Sequence, residues 1–554
     1  MAPVPERRSR SALWIGLLAA LLVLGPSAAP GRLIGDEGLD VWSHVWGEGW
    51  VGRSLLSGAL PWSNHGLAWP EGGALWYIDP LGALVALPFV ALSQGALGHL
   101  AVQAAQVGLA AVAGRAWGRA LGGAGWVSGL GLATAPFLLG ELHNGITEAS
   151  WLGLVPAAGA AAARRSPWTG LWVGLAFVAT PYHGISALIL VLTVALWGPG
   201  APEPGRERAL RLGRALLIAA LVAAPAMWAL HAALADPSAL TRKPPGGDNW
   251  PVFRINAVDP VALLRPGPSW TVHNTGPLEA PFRRTPYLGL GLLALAGLSL
   301  SRDRRRAPLL IPLAVGIMLS LGPYLWRDGD FVRTSDGRLV ALPLRALLAW
   351  TGASMDHPLR FIGGALTALA GLADAALPAR RWWARAAAGA VVLEHLLVAP
   401  TVWPLAWSSA EIPAVYAALP QDGRAVIDLP ADRGDSIATN RYLYWSGAHL
   451  RPIPYAAKVG SQGFPSLNAA LRAWTAAGRL TPVPEGAPGA TPEGADLGPA
   501  VAELEAQGFG WVVLHPELLA RPELEARHRA LIDPWLGAPE RIEGCLVWRI
   551  GSGS

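Results

Sequence analysis

Cysteine and charge are both scarce in this sequence of 554 residues. Its single cysteine, Cys545, excludes an intramolecular disulfide and any metal site built from several cysteines. Charged residues make up only 15% of the chain, whereas a soluble domain carries about 25%. Hydrophobic residues reach 52%, and the many Gly and Pro residues lie within or beside long apolar runs. The composition therefore excludes a disordered chain, a fibrous repeat and an ordinary cytosolic enzyme, and it favours a polytopic membrane protein.

Lysine is almost absent as well, since only Lys243 and Lys458 occur. The net charge of +5 could indicate a nucleic-acid partner. The arginines, however, occur in short clusters between apolar runs, where the positive-inside rule expects cytoplasmic loops. This distribution predicts membrane lipids and no nucleic acid as partners.

The apolar stretches set the predicted topology. The first runs from Ser11 to about Ala28 after three arginines, and we interpret it as a retained anchor because many further spans follow. Several of the later stretches are shorter than the roughly 20 residues that a span needs. They lie at 80–95, 97–114, 121–138, 149–163, 167–180, 184–198, 214–235, 287–300, 307–325, 360–377 and 386–403.

Five internal arginine clusters indicate which loops between these spans face the cytoplasm. They are Arg115/Arg119, Arg164/Arg165, Arg206 to Arg214, Arg302 to Arg306 and Arg380 to Arg385. All five fall on the cytoplasmic side only if 80–95 does not cross, so this stretch is predicted to be re-entrant or interfacial. The sequence thus predicts a polytopic α-helical membrane protein with about 11 transmembrane helices in the cytoplasmic (inner) membrane.

The predicted amino terminus is cytoplasmic, and the transmembrane module covers residues 1–407. Its external segments are 30–79, 139–148, 236–286 and 326–358. Residues 408–554 form an external carboxy-terminal domain, in which short buried strands at 424–429, 511–515 and 546–550 alternate with helices at 411–419, 467–477, 500–507 and 522–531. This pattern indicates an α/β layer, with a mobile loop predicted at 482–499.

The first external segment opens with carboxylates. Asp36, Asp40 and His44 are spaced at i,i+4, so a helix that starts near Asp36 places all three on one face. Three tryptophans repeat at the same spacing, as expected of a helix that lies in the headgroup layer (Trp42, Trp46 and Trp50). The alternative for Asp36 is a helix N-cap, which needs no further function.

Polar side chains continue through both external segments. His65 and its tryptophan and acidic neighbours suit contacts with sugar rings and suit a headgroup anchor equally well. The second segment, 139–148, carries two carboxylates, one histidine and one asparagine between two spans, where polar groups usually line a site (Glu141, His143, Asn144 and Glu148). Arg360, at the start of a late span, is placed to bind a lipid phosphate or to snorkel to the interface.

The order of these features resembles the GT-C superfamily of membrane glycosyltransferases, and more closely a group of bacterial GT-C-like proteins with an external carboxy-terminal domain. The resemblance runs from about residue 31 to 550, and it rests on the order of several short motifs. These are Gly35-Asp36-Glu37, Trp69-Pro70-Glu71-Gly72-Gly73, Glu141-Leu142-His143-Asn144, His357-Pro358-Leu359-Arg360-Phe361 and Arg441-Tyr442-Leu443-Tyr444.

The resemblance implies transfer of a sugar from a polyprenyl-phosphate-linked donor to a glycan, lipid or protein acceptor. It makes Asp36 the general base, while Glu37 and either Glu141 or Glu148 bind the acceptor or a divalent metal ion. Asp40 together with Asp36 and Glu148 could offer oxygen ligands to such an ion, although the spacing identifies no metal site. The second segment has Glu where classical members often carry Asp.

Two non-enzymatic alternatives remain open. The first is a lipid-linked-saccharide transporter or an envelope-assembly scaffold. Glu394 and His395 lie within the last apolar stretch, where ionisable groups are costly, but a single interhelical hydrogen bond is the simpler interpretation. The second is a membrane-anchored binding protein whose external domain is the working part.

Overall fold

The protein's structure is a computed structural model. It describes residues 7–92, 95–198, 204–240, 256–265, 285–327, 330–351, 355–377, 382–398, 403–431, 439–456, 468–480 and 496–551. Most of the predicted external segment 236–286 and most of the predicted loop 482–499 lie outside these residues.

The first three quarters of the chain are mainly helical. They are α1 (Arg7–Leu24), α2 (Val41–Leu56), α3 (Pro80–Ala91), α4 (Gly95–Ala120), α5 (Trp126–Ala133), α6 (Pro136–His143), α7 (Leu154–Ala163), α8 (Thr169–Ala179), α9 (Pro181–Trp197), α10 (Gly205–Ala235), α11 (Leu290–Arg302), α12 (Leu310–Ser320), α13 (Pro343–Thr351), α14 (Ile362–Ala375) and α15 (Trp382–Leu393). Short 3₁₀ turns precede several of them, at Glu148–Gly153, Pro260–Leu263, Arg304–Leu309 and Pro358–Phe361, and a π turn, Glu394–Val398, follows α15.

Two of these helices, α4 and α10, are long and apolar enough to cross a membrane. Shorter apolar helices accompany them, at Leu13–Leu24, Pro80–Ala91, Thr169–Ala179, Pro181–Trp197 and Leu290–Arg302. Large apolar side chains stay exposed on this bundle, among them Leu21, Leu221 and Trp228. Because apolar faces of this size need an apolar solvent, they support a helical membrane protein. The number of spans stays a prediction.

Arginines from distant parts of the chain meet at one end of the bundle. Arg115 and Arg385 both lie over the ring of Trp126, at 4.5 and 5.4 Å from its centroid. Arg164 donates to the carbonyl of Ala116 near the end of α4. Arg302 and Arg306 donate to the last carbonyls of α14, on Ala376 and Ala375.

The predicted loop position of Arg115 and Arg119 is wrong, because α4 continues to Ala120. Ala and Arg both favour helix, so α4 continues beyond the end of the apolar run. The arginines described above nevertheless lie at one end of the bundle, and the side of the membrane that this end faces stays a prediction.

The carboxy-terminal region folds around a four-stranded sheet of order β7-β8-β10-β9. Its strands are β7 (Ala425–Leu429), β8 (Phe509–Leu514), β9 (Glu540–Ile542) and β10 (Cys545–Arg549). Strands β7 and β8 are parallel, and the other two pairs are antiparallel. The helices are α16 (Val415–Ala418), α17 (Asn440–His449), α18 (Ala469–Ala476), α19 (Gly498–Ala506) and α20 (Glu523–Leu536), with a 3₁₀ turn at Pro516–Leu518.

The α/β pattern of this region is present, with three differences from the sequence prediction. The helix predicted at 411–419 is only Val415–Ala418, since Pro413 precedes it and Pro420 follows it. Helix α17 and the edge strand β9 were not predicted, because polar residues interrupt the apolar periodicity of both.

The carboxy-terminal region shares an apolar core with the first external segment. Strand β1 (Arg32–Ile34) pairs antiparallel with β6 (Trp407–Ser409), just before the domain begins. Further along, the backbone of Ala68 donates to the carbonyl of Tyr455, and Ile453 donates to Gly66. Two small hairpins lie in the segments predicted to be external, β2 (Ser63–Asn64) with β3 (Gly73–Ala74) and β4 (Trp326–Arg327) with β5 (Asp330–Phe331). The domain is therefore held directly above the first acidic segment.

Candidate functional site

The two acidic segments predicted to be external meet through their backbones. The amide of Asp36 donates to the carbonyl of His143 at 2.8 Å, and the amide of Asp40 donates to Asn144 at 3.2 Å. The approach needs a glycine on the second segment: a Cβ on Gly145 would lie 2.5 Å from Cα of Val41, and its φ of +72° also favours glycine. Residues a hundred positions apart in the chain thus form one surface.

Asp36 is the half-exposed carboxylate of this surface. Its Oδ1 accepts from the backbone of Gly38 at 2.9 Å, and its Oδ2 lies 3.8 Å from Nε2 of His143. Because an ionised carboxylate has about four acceptor positions, this geometry leaves Asp36 able to accept a proton from a ligand.

The predicted helix start near Asp36 is wrong. Helix α2 begins at Val41 with Asp40 at its N-cap, and Asp36 lies in the preceding turn. Two glycines, Gly35 and Gly38, and the hydrogen bond to the backbone of Gly38 favour that turn over another helical turn. Asp36, Asp40 and His44 therefore do not share one helical face.

A buried ion pair lies beneath the surface. Nη2 of Arg360 is 2.8 Å from Oε1 of Glu148, and both side chains are almost completely buried. Nε2 of His44 lies 3.5 Å from Oε2 of the same carboxylate, while its Nδ1 meets the hydroxyl of Thr147 at 2.9 Å. The ring of Tyr182 lies beside the Arg360 guanidinium.

This pairing changes the interpretation of Arg360. It was expected at the interface, bound to a lipid phosphate or snorkelling, but its head group is inside the protein and is neutralised by Glu148. Removing one partner would leave a buried charge without its counter-charge, so a positioning role fits both residues better.

Of the remaining predicted site residues, three lie next to the acidic surface and one lies on a hairpin. Glu141 and His143 belong to the last turn of α6 rather than to a loop, and Asn144 follows as its C-cap. All three are buried next to the surface. His65 is exposed on the β2–β3 hairpin, where it packs against Gly72.

The carboxy-terminal region supplies polar partners to the site. Nη2 of Arg441 lies 3.0 Å from Oε2 of Glu37, and Nδ2 of Asn440 donates to Oδ1 of Asp40 at 3.3 Å. Both donors start helix α17, which contains the Arg-Tyr-Leu-Tyr element. Glu37 and Asp40 thus face a helix that lies about 400 residues further along the chain.

The same helix covers the tryptophan stripe. Trp42, Trp46 and Trp50 are all buried, and Trp42 packs against Tyr444 at 5.4 Å between ring centroids. The prediction that this stripe lies among lipid headgroups is therefore wrong. A single sequence shows the stripe but not which surface covers it.

Glutamine side chains from α4 hold the two segments in place. Gln103 donates to the carbonyl of Ile34 at 2.9 Å, and Gln106 donates to that of Thr147 at 2.8 Å. Both polar residues are visible in the sequence as a pair on one face of an apolar helix. Their supporting role was not predicted, because their partners are distant in the chain.

An apolar cavity of about 1090 Å³ opens beside the site. Trp46, Val90 and Leu97 contribute to its walls, and two arginines, Arg32 and Arg53, also line it. Burial lowers the pKa of the Arg53 guanidinium from its ordinary value. Within the described parts of the chain no carboxylate pairs with Arg53, so an anionic ligand with an apolar tail fits this cavity.

Glu394 and His395 have structural partners. The Glu394 carboxylate accepts from the backbone amides of Leu290 and Gly291 and from the hydroxyl of Tyr287, so it caps helix α11. His395 meets Thr134 at 3.3 Å. The interhelical hydrogen bonds expected as the simpler interpretation are present.

No family model and no curated protein matches this chain. It is similar to the arabinofuranosyltransferase AftD from Mycobacteria, at 15% identity over 94% of this chain and 38% of that one, with a TM-score of 0.48.

Structures of the archaeal oligosaccharyltransferase AglB from Archaeoglobus fulgidus are similar to this chain as well. One, in complex with an inhibitory peptide and a dolichol-phosphate, shares 12% identity over 92% of this chain and 69% of that one, with a TM-score of 0.47. Another, in complex with Zn and sulfate, has 12% identity, 92% and 68% coverage and a TM-score of 0.42.

The chain spans little more than a third of AftD. Because every TM-score quoted is below 0.5, we draw no conclusion from these similarities about the reaction or its residues.

Proposed function

We propose that the protein is a membrane glycosyltransferase that moves a sugar from a polyprenyl-phosphate-linked donor to an acceptor at the outer face of the membrane, with Asp36 as the general base. The observation that carries this proposal is the meeting of the two acidic segments around a half-exposed Asp36. In such a transfer the acceptor hydroxyl gives its proton to the base while its oxygen attacks the sugar and the lipid phosphate leaves.

The donor fits the cavity beside Asp36. Its lipid tail would lie along the apolar wall that includes Val90 and Leu97, and its phosphate would meet Arg53. Strand β1 connects this cavity to the base, since Arg32 lines the cavity and Asp36 lies four residues further along. Arg53 replaces Arg360 as the proposed phosphate ligand.

The acceptor fits beside Asp36, at the start of helix α17. Glu37 and Asp40 face Arg441 and Asn440 there, and this polar rim suits the hydroxyl groups of a glycan. Glu148, His44 and Arg360 hold the floor of the site rather than contact the reactants.

The test is sugar transfer in membrane vesicles that carry the Asp36→Asn variant. An asparagine side chain can still accept from the Gly38 amide, so folding and membrane insertion are expected to be normal. Transfer is expected to fall by about 10²–10⁴-fold, because the amide cannot take the acceptor proton.

The matched control is Asp303→Asn. The Asp303 carboxylate also accepts from the backbone two residues on, at 3.1 Å, and it is exposed to a similar degree, but it lies at the arginine-rich end of the bundle. Transfer by this variant should equal that of the unchanged protein. Normal transfer by Asp36→Asn would reject Asp36 as the base.

A further inference from the structure

The carboxy-terminal sheet carries a second cluster of side chains that the proposed transfer does not use. His515 follows strand β8, Glu517 lies in the 3₁₀ turn after it, and Cys545 opens the neighbouring strand β10. Because β8 and β10 are adjacent and antiparallel, the end of one strand lies beside the start of the other. The fold thus brings three different metal-binding side chains together where strand β8 ends and strand β10 begins.

The distances in this cluster suit a shared ion. Nδ1 of His515 lies 3.4 Å from Sγ of Cys545 and 3.5 Å from Oε1 of Glu517, and one ligand atom from each residue lies within 4.8 Å of the other two. Ligand atoms bound to one tetrahedral zinc ion at about 2.0–2.3 Å are separated by similar distances.

The second ring nitrogen of His515 is also held. Its Nε2 lies 3.3 Å from Oδ1 of Asp428, a fully buried carboxylate that also accepts from the hydroxyl of Tyr416 at 2.8 Å. A histidine that binds a metal usually donates its other N–H to such a carboxylate, which fixes the tautomer and the ring orientation. The Asp428 contact therefore directs Nδ1 towards the thiol and Glu517.

We propose that His515, Glu517 and Cys545 bind a divalent transition-metal ion, and that zinc is the ion that this ligand set fits. Nitrogen, carboxylate oxygen and thiolate sulfur are all zinc ligands, and three protein ligands leave a fourth position for water or a substrate group. On binding, the Cys545 thiol releases its proton to solvent and coordinates as the thiolate.

The ion has a path from solvent. Cys545 and His515 are buried, whereas the Glu517 side chain is about half exposed. Glu517 also lies within the electrostatic reach of Arg441, the residue that pairs with Glu37. The open side of the cluster therefore faces the same helix as the acceptor side of the proposed transfer site.

The single cysteine makes the test unambiguous, since any thiol signal comes from Cys545. Purified full-length protein in detergent is stripped with a chelator and titrated with Zn²⁺ or Co²⁺. We expect about one ion per chain, a thiolate-to-cobalt charge-transfer band, and a reaction of Cys545 with Ellman's reagent that slows at least about tenfold when Zn²⁺ is added.

Variants assign the ligands. Cys545→Ser should lose the cobalt band, and Glu517→Gln should weaken Zn²⁺ binding, whereas Glu523→Gln, an exposed glutamate six residues further on, should leave it unchanged. Should Cys545→Ser not fold, the titration of the unchanged protein still decides the question. A protein that binds neither Zn²⁺ nor Co²⁺ in the titration, with no cobalt band, would overturn the proposal in favour of an imidazolium held by two carboxylates.

Discussion

The Asp36 carboxylate at the acidic surface and the carboxylates inside the helix bundle differ in how many hydrogen bonds they accept. Asp374 accepts from the backbone amides of Gly125 and Val127, and Glu394 accepts from three donors at the start of α11. Asp36 accepts from one amide and faces His143 at a longer distance. Carboxylates that cap helices hold the bundle together, whereas Asp36 keeps acceptor positions for a ligand, as the proposed role of general base requires.

The largest expected effect comes from breaking the buried pair beneath the site. Arg360→Ala leaves the Glu148 carboxylate buried without its counter-charge, so the free energy of unfolding should fall by about 3–5 kcal/mol. Thermal unfolding of the detergent-solubilised protein measures this loss.

The control for this change is Arg338→Ala. Arg338 also pairs with a carboxylate, Asp336, but both side chains are exposed, so removal should change stability by less than about 1 kcal/mol. If the two variants unfolded at the same temperature, the floor of the site would not depend on the buried pair.

Glu394→Gln separates a capping role from a transport role. The amide cannot replace the charge that faces two backbone donors and Tyr287, so stability should fall by roughly 1–3 kcal/mol. Sugar transfer per folded molecule should stay unchanged. Loss of transfer or of substrate movement by a stably folded variant would instead support the transporter alternative.

A smaller effect is expected where the carboxy-terminal region meets the first segment. Arg441 and Glu37 are partly exposed, so their coupling in a double-variant cycle should be at most about 1 kcal/mol. Arg441→Gln should raise the acceptor KM up to several-fold and leave kcat nearly unchanged, because the base is untouched. A large fall in kcat would show that Arg441 takes part in the chemical step.

The smallest effect is a pH dependence in the carboxy-terminal domain. Burial lowers the pKa of His449 to about 4. Because the unfolded chain then binds more protons, the stability that the neutral ring contributes is present above about pH 6.5 and is lost as the pH falls towards 4.

His449→Asn retains an acceptor for the Arg451 amide and removes the titration. The ring is only partly buried. The difference in the free energy of unfolding between the unchanged protein and His449→Asn should therefore change by about 1 kcal/mol between pH 7 and pH 4.5. Unfolding curves at the two pH values measure it, and an unchanged difference would mean that His449 titrates normally.

The sequence was sufficient for the features that depend on composition and local pattern. Apolar runs predicted the helices, and the α/β alternation predicted the buried strands of the carboxy-terminal sheet, because burial of both faces demands continuous apolar residues. The two acidic segments were recognisable as polar stretches between apolar helices. Their convergence on one surface was expected only from the resemblance.

Long-range partners could not be predicted in this way. Arg360 looked like an interfacial residue because its counter-charge, Glu148, lies 212 positions earlier in the chain. The tryptophan stripe looked like a membrane contact because helix α17, which covers it, is itself weakly patterned. The start of α2 was misplaced because a turn and a first helical turn both favour aspartate.

The claim on which the account depends is that the surface around Asp36 faces the exterior. It is tested by labelling Glu37→Cys with a membrane-impermeant maleimide in right-side-out and inverted vesicles. The control is Ser301→Cys, an exposed position at the arginine-rich end, and the buried Cys545 gives the background. We predict that Glu37→Cys is labelled only in right-side-out vesicles and Ser301→Cys only in inverted ones. Labelling of Glu37→Cys only in inverted vesicles would contradict the account.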